Sequence, residues 1–256
     1  MLIPLIIALL GCIIAGTWDL FTTDIPDEVS ESMIVLGIFY WAIKSLQVES
    51  LKPLLISLTI GILFLLFGYI LYKTGQWGGG DAKILASLGF LLPFFGNMQY
   101  FPLNLIINVF AVGSVYVIIY SLLLGISKNI FPKFFEDIPK ISFVLSIILI
   151  ISGFFIPNRE LSILVVLFGF LILFWYYAKT IEKYIFTRRV HVSKVKVGDV
   201  LFSSKEWEGI TKEELDKLKK GKKKYVKIKE GIRFGPVFFF ALLFTILYGN
   251  LLFLIL

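Results

Sequence analysis

Residues 54–72 read LLISLTIGILFLLFGYILY, nineteen residues without a charge. A helix rises about 1.5 Å per residue, so this segment matches the hydrocarbon thickness of a bilayer. Seven other apolar segments follow the same pattern, at about residues 2–18, 33–46, 82–95, 103–126, 141–157, 161–181 and 234–256. The segment at 82–95 is the shortest and contains Pro93, which predicts a partial span enclosed by the other helices.

Composition supports a membrane protein. Of the 256 residues, 58% are apolar and 17% are charged, and the mean hydropathy of +0.88 is above the range of soluble domains. Cys12 is the only cysteine, which excludes an internal disulfide and an all-cysteine zinc site. We therefore predict an all-α polytopic membrane protein with about eight hydrophobic helices, or six in the alternative count.

The charges divide the chain into three parts. Residues 184–233 contain 15 Lys/Arg and 7 Asp/Glu, a balance of +8, although the whole chain carries only +7. The predicted domains are a helix bundle at 1–183, a basic insert at 184–233 and a last transmembrane helix at 234–256. A basic insert of this kind is suited to contact with anionic lipid headgroups. Its residues do not have the spacing of a known nucleic-acid-recognition motif, so nucleic-acid binding is the less favoured interpretation.

The insert has the pattern of a small α/β unit. Residues 190–197 and 225–229 alternate as strands, with a break near Ser193, and Thr211 with Glu214 forms a capping box that opens a short helix ending near Gly221. His191, the only histidine, is interpreted as a solvated strand residue because no second metal ligand of its type is nearby.

Orientation follows from the basic residues. An alternating topology places 22 of the 25 Lys/Arg on one side, with Lys44, Lys52 and Arg159 on the other. The positive-inside rule then predicts a plasma-membrane protein whose insert is cytoplasmic and whose termini lie outside.

Two aspartates at the ends of apolar segments are the candidate catalytic residues. Asp19 closes the first segment, and Asp81 follows three glycines, Gly78, Gly79 and Gly80, just before the fourth. In the predicted topology both lie at the cytoplasmic edge. Two carboxylates brought together divide roles, since one acts as a base for water and the other donates a proton, without a metal or a covalent nucleophile.

Purely structural interpretations remain open for each site. Asp81 could cap the fourth helix beside a permissive glycine turn, and Asp19 could be solvated by headgroups. Their joint placement on one membrane face favours chemistry over these alternatives.

These residues resemble the type IV prepilin and archaeal preflagellin peptidases, which are membrane-embedded GxGD aspartyl proteases. Gly78–Asp81 with Lys83 matches GxGDxK, and Asp19 with Ile25 and Pro26 resembles the first-aspartate motif. Residues 231–236, Gly-Ile-Arg-Phe-Gly-Pro, resemble the GIPF-type start of the last helix, with Arg233 in place of a proline. The single cysteine departs from the bacterial tetracysteine element and indicates the archaeal branch.

The resemblance implies an endopeptidase, without a cofactor, that removes a short basic leader from pilin or archaellin precursors at the cytoplasmic face. A second observation supports leader binding, because the stretch after the first helix is acidic and has no Lys or Arg; its candidate residues are Asp24, Asp27, Glu28 and Glu31. A solvated loop is the alternative for these carboxylates.

Two other classes of function were considered. An ion-coupled secondary transporter also builds its site from broken helices and membrane aspartates, but it predicts inverted repeats, and the Gly78–Lys83 pattern has no convincing repeat. A structural assembly subunit would leave the paired aspartates without a purpose.

Overall fold

The computed structural model describes residues 1–96, 98, 100–202, 209–221 and 224–249. The described residues form these helices and strands: α1 (Leu2–Thr22), α2 (Asp27–Gln47), α3 (Lys52–Lys73), α4 (Gly79–Leu91), α5 (Phe101–Ser127), α6 (Phe131–Asp137), α7 (Lys140–Gly153), α8 (Arg159–Ile181), β1 (Thr187–His191), β2 (Val200–Leu201), α9 (Lys212–Lys220), β3 (Tyr225–Lys229) and α10 (Pro236–Tyr248). A π-helical turn at Glu182–Phe186 and a 3₁₀ turn at Val192–Lys194 flank β1.

The predicted fold class is confirmed, since each of the eight apolar segments contains a helix. Among the described residues, five helices are long and apolar enough to cross a membrane unaided: α1, α2, α3, α5 and the segment Arg159–Phe186. Three of the predicted segments form shorter helices of 13 or 14 residues, α4, α7 and α10. Residues 250–256 of the predicted last span lie outside the described residues.

The described residues divide into two compact units, those within 1–117 and 231–249, and those within 118–202 and 209–230. In the first unit α4 is the central helix. Its residues from Ile84 to Leu91 are all buried, and α1, α2 and α3 pack around it. A Cβ atom on Gly89 would lie 3.1 Å from the Cα atom of Gly61, so these small residues let α3 and α4 approach closely. The prediction of a short helix enclosed by its neighbours is confirmed.

The main-chain carbonyls at the buried C-terminal end of α4 accept hydrogen bonds from side chains of other helices. The indole Nε1–H of Trp41 donates to the carbonyl of Leu91 at 3.1 Å, and the Ser57 hydroxyl donates to the carbonyl of Phe90 at 2.7 Å. A helix end has carbonyls without intrahelical partners, and an apolar interior offers no water to bind them. The side chains of α2 and α3 therefore allow α4 to end inside the bundle.

The helical part of the second unit has its own small core, in which Ile130, Phe134 and Tyr177 pack together. The Tyr177 hydroxyl donates to the carbonyl of Ser121 at 2.9 Å. Helix α6 was not predicted, because seven residues are too few for the periodicity of an amphipathic helix to show.

The insert contains an antiparallel sheet with strand order β1-β3-β2. The predictions of β3, of the break near Ser193 and of a helix opened by the Thr211 capping box are confirmed. The predicted strand at 190–197 is wrong in its bounds, because β1 ends at His191 and a 3₁₀ turn follows. The two-residue β2 was not predicted, since its pairing with β3 is a tertiary contact that two residues cannot signal.

Candidate active site

Asp19 lies in the last turns of α1 and is 6% exposed. Its Oδ2 atom accepts a hydrogen bond of 2.7 Å from the main-chain N–H of Gly235, at the start of α10. A Cβ atom on Gly235 would lie 2.9 Å from Cβ of Asp19 and 3.1 Å from Cα of Gly16. Only a glycine at this position lets the α10 backbone reach the carboxylate without displacing it.

The start of α10 is anchored at a second point. The Tyr116 hydroxyl donates to the carbonyl of Arg233 at 2.8 Å. The Arg233 side chain is the cation whose field reaches Asp19, and Asp24 is a neighbouring anion. Sequence reasoning noted Arg233 only as a departure from the motif and gave it no role, so the structure adds this segment to the surroundings of Asp19.

Asp81 lies in the first turn of α4, three residues after the N-cap residue Gly78. Its Oδ2 atom accepts a hydrogen bond of 3.2 Å from the main-chain N–H of Gly78. The structural alternative placed Asp81 at the N-cap itself, whereas the structure has Gly78 there and Asp81 accepts the bond from the third helical position. A capping carboxylate keeps its other oxygen available, so the contact is compatible with chemistry.

The two aspartate motifs meet in the first unit. Asp19 acts electrostatically on Asp81. Ile25, in the turn that follows α1, is buried, and a Cβ atom on Gly80 would lie 2.9 Å from the Cβ atom of Ile25. The structure thus packs the Ile25-Pro26 turn of the first motif against the glycine run of the second.

Lys83, the last residue of the GxGDxK match, forms an ion pair with Asp27. The Nζ to Oδ1 distance is 2.6 Å, and the side chains are 41% and 56% exposed. The pair links the N-terminal part of α4 to the first turn of α2. From the sequence, Asp27 was a candidate for leader binding and Lys83 was only a residue of the GxGDxK match, so their contact was not predicted.

The other candidate leader-binding residues, Asp24, Glu28 and Glu31, are exposed. Asp27 and Glu28 occupy the first turn of α2, where carboxylates also stabilise the positive end of a helix dipole. Asp27 is engaged in an ion pair, so the acidic stretch combines a structural contact with exposed carboxylates.

Trp77, which the sequence did not single out, directly precedes Gly78. Its ring centroid lies 5.8 Å from that of Phe110, and 5.6 Å from those of Phe234 and Phe238. An aromatic cluster therefore joins the glycine run to α5 and α10. A tryptophan beside three glycines is the signal that could have indicated it.

Over the ranges that the structure describes, no group of three or more His, Cys, Asp or Glu side chains is placed to hold a metal ion.

Together these features define a class: a polytopic helical membrane protein in which two aspartates lie at the ends of α1 and α4. Residues 6–126, which contain both aspartates, match the type IV leader peptidase family. Over these residues the chain is similar to that family, and relatives named as preflagellin and prepilin peptidases match part of it.

Individual relatives are similar to part of this chain. A preflagellin peptidase of Methanocaldococcus jannaschii is 30% identical over 107 residues, which are 42% of this chain and 45% of the relative. A preflagellin peptidase of Methanococcus maripaludis is 31% identical over 108 residues, 42% of this chain and 46% of the relative. A prepilin peptidase of Methanothermobacter thermautotrophicus is 35% identical over 96 residues, 36% of this chain and 24% of the relative. The chain spans about half the length of the two preflagellin peptidases.

Proposed function

We propose that this protein is an aspartic endopeptidase that removes the short basic leader from type IV pilin-like or archaellin precursors at the cytoplasmic face of the membrane. The observation that carries the proposal is the packing of the two aspartate motifs against each other. Ile25, in the turn that follows the helix of Asp19, lies against Gly80, the residue before Asp81. The match of residues 6–126 to the type IV leader peptidase family and the names of the relatives support a peptidase.

The proposed chemistry divides two tasks between the carboxyl groups. One carboxylate takes a proton from water, which attacks the carbonyl carbon of the scissile peptide bond. The other carboxyl donates a proton to the carbonyl oxygen. The first carboxyl then passes the proton that it took from water to the nitrogen, the C–N bond breaks and the amine leaves, and a hydroxyl of the tetrahedral intermediate returns a proton to the second carboxylate. Asp19 and Asp81 are the only groups to which we assign these steps.

The main chain supports both carboxylates. The N–H of Gly235 donates to Asp19 and the N–H of Gly78 donates to Asp81, so each side chain is held by a donor at the start of a helix. Such bonds orient a carboxylate and leave its second oxygen for water or substrate. The Arg233 charge adds to the field at Asp19.

The glycine run provides a surface for an extended peptide. Gly78 is exposed, and the nearest side-chain atom to a Cβ on Gly79 would be 3.8 Å away, on Tyr72. A substrate backbone can therefore approach close to Asp81, because side chains at these positions would otherwise keep it away.

Leader recognition is assigned to the acidic residues after α1. Asp24, Glu28 and Glu31 are exposed, and Asp27 forms the pair with Lys83. A cationic leader would be attracted to this surface. The positive-inside distribution of Lys and Arg supports the cytoplasmic orientation in which such a leader would arrive.

The test is a cleavage assay. Detergent-purified protein is incubated with membranes that contain candidate pilin and archaellin precursors, and the product is identified by mass spectrometry. We expect a precursor shortened at the junction of leader and apolar helix, and no product from Asp19→Asn. If no precursor is cut, and Asp19→Asn instead abolishes ion-coupled solute uptake into proteoliposomes, the transporter interpretation replaces this one.

A further inference from the structure

The sheet of the basic insert has two different sides. In β1 and β3, Arg189 is paired with Lys227 and His191 with Tyr225, and residues paired across neighbouring strands project to the same side. Phe202 joins them, because its N–H donates to the carbonyl of Lys227. We name this side the basic-aromatic face; its members are Arg189, His191, Phe202, Tyr225, Lys227 and Lys229.

Cations and rings are in contact on this face. The guanidinium carbon of Arg189 lies 4.9 Å from the ring centroid of Tyr225. The Nζ atoms of Lys227 and Lys229 lie 5.6 Å and 5.2 Å from the ring centroid of Phe202. The two rings are nevertheless about half exposed, 51% for Tyr225 and 48% for Phe202.

The opposite side of the sheet forms the core of the insert. Val190 and Val226 pack there with Leu215 of α9. Helix α9 therefore covers the apolar side, and the rings of the basic-aromatic face are left outside that core.

We propose that the basic-aromatic face binds the anionic headgroup surface of the membrane. The insert carries a local balance of +8, and basic residues beside a membrane are attracted to anionic lipid. Tyrosine and other amphipathic rings favour the headgroup region, and the ring contacts place charge and apolar surface together. This inference does not rest on the proposed peptidase activity.

Chain connectivity favours lipid over another partner. Strand β1 begins at Thr187, directly after the apolar segment Arg159–Phe186 ends. Strand β3 ends at Lys229, and residues 230–235 are the six that separate it from α10. Six extended residues reach about 20 Å at most, so the sheet is tethered beside the bilayer at high effective concentration.

The experiment uses the full chain in nanodiscs. A fluorophore is attached at Ser193→Cys, whose native hydroxyl lies 2.8 Å from Nδ1 of His191. The buried Cys12 is replaced by alanine so that labelling is specific. Quenching by a headgroup-nitroxide lipid is compared in phosphatidylcholine discs with and without phosphatidylglycerol.

We expect stronger quenching in the anionic discs and its loss at high salt. Arg189→Gln with Lys227→Gln should lower the ratio of bound to unbound insert by more than about tenfold. Arg189→Lys with Lys227→Arg keeps both charges and should keep the quenching. The matched control, Lys217→Gln with Lys220→Gln, removes the same charge from exposed positions on α9 and should have little effect.

Three results would overturn the proposal. Equal quenching in neutral and anionic discs would show that the insert does not recognise anionic lipid. An equal loss of quenching in the α9 control would show that the basic-aromatic face has no specific role. Binding of a labelled single-stranded oligonucleotide that the face variant abolishes, while lipid quenching is absent, would assign the face to nucleic acid.

Discussion

The carboxylate of Asp19 accepts a 2.7 Å hydrogen bond from the main-chain N–H of Gly235, which lies 216 residues further along the chain. This contact brings the start of α10 against the end of α1, where Gly16 also lies. The residue before the last helix therefore orients a side chain of the first one. If the aspartates are catalytic, the last helix is part of the site.

Asp19→Asn and Asp81→Asn should each lower kcat by about 10²–10⁴-fold, because an amide cannot exchange a proton with water or substrate. Both variants should insert and fold, since an amide can still accept the bonds from Gly235 and Gly78. Cleavage rates and size-exclusion profiles measure the two effects. Asp216→Asn, on the exposed side of α9, is the control, and cleavage at the wild-type rate by either variant would remove that residue from the mechanism.

Gly235→Ala should lower kcat by about 10²-fold, because its Cβ atom would lie 2.9 Å from that of Asp19 and displace the carboxylate. Gly231→Ala is the matched control, since a Cβ there meets no atom within 4 Å. Single-turnover cleavage and thermal unfolding are measured on both.

A milder variant tests the same segment without adding volume. Tyr116→Phe removes the hydroxyl that donates to the Arg233 carbonyl, and it should lower kcat more than it lowers KM. Equal kcat values for Gly235→Ala, Tyr116→Phe and Gly231→Ala would show that the start of α10 has no part in positioning Asp19.

The ion pair between Lys83 and Asp27 should contribute about 0.2–1 kcal/mol to the free energy of unfolding, because both side chains are partly exposed. The Lys83→Glu variant should lose this contribution to the free energy of unfolding, and adding Asp27→Lys should restore it. Thermal unfolding and kcat are measured for both single variants and the swap. A swap that restores stability but not cleavage would assign Lys83 a task in the chemistry itself.

The rate of cleavage should have a bell-shaped dependence on pH. The charges of two neighbouring carboxyl groups interact, so the pair loses its two protons in two separate steps. The active form is the one in which the pair carries one proton. The rate therefore falls when both are protonated and when both are ionised. Initial rates are measured against pH, with circular dichroism to verify the fold. A rate that rises steadily into alkaline pH would contradict a carboxylate pair.

Neutralising Glu28 and Glu31 should weaken capture of a basic leader while leaving kcat near its wild-type value. Each screened contact is worth about 0.2–1 kcal/mol, so KM should rise about 2- to 30-fold for Glu28→Gln with Glu31→Gln. This variant leaves the pair between Asp27 and Lys83 intact. In this variant, replacing the leader lysines of the precursor should raise KM only a little further. If the variant cleaves basic and neutralised leaders with the wild-type ratio of efficiencies at low salt, these carboxylates only form the solvated first turns of α2 and do not bind the leader.

Local sequence determined the helices and much of the insert. An apolar run long enough to span a bilayer forms a helix wherever its neighbours lie, because its own backbone must satisfy every hydrogen bond in lipid. The capping box at Thr211 and the alternation at residues 225–229 are equally local, and both elements form as predicted. The two aspartates were identifiable because a carboxylate beside an apolar run is costly.

Tertiary structure alone decided which groups meet. The contact of Gly235 with Asp19, the ion pair of Lys83 with Asp27 and the caps that Trp41 and Ser57 provide to α4 join residues distant in sequence. No periodic pattern in the sequence indicates these contacts, since each depends on how the helices pack and on which small residues let them approach. A single chain indicates which residues are chemically suited to a site, and packing determines which of them share it.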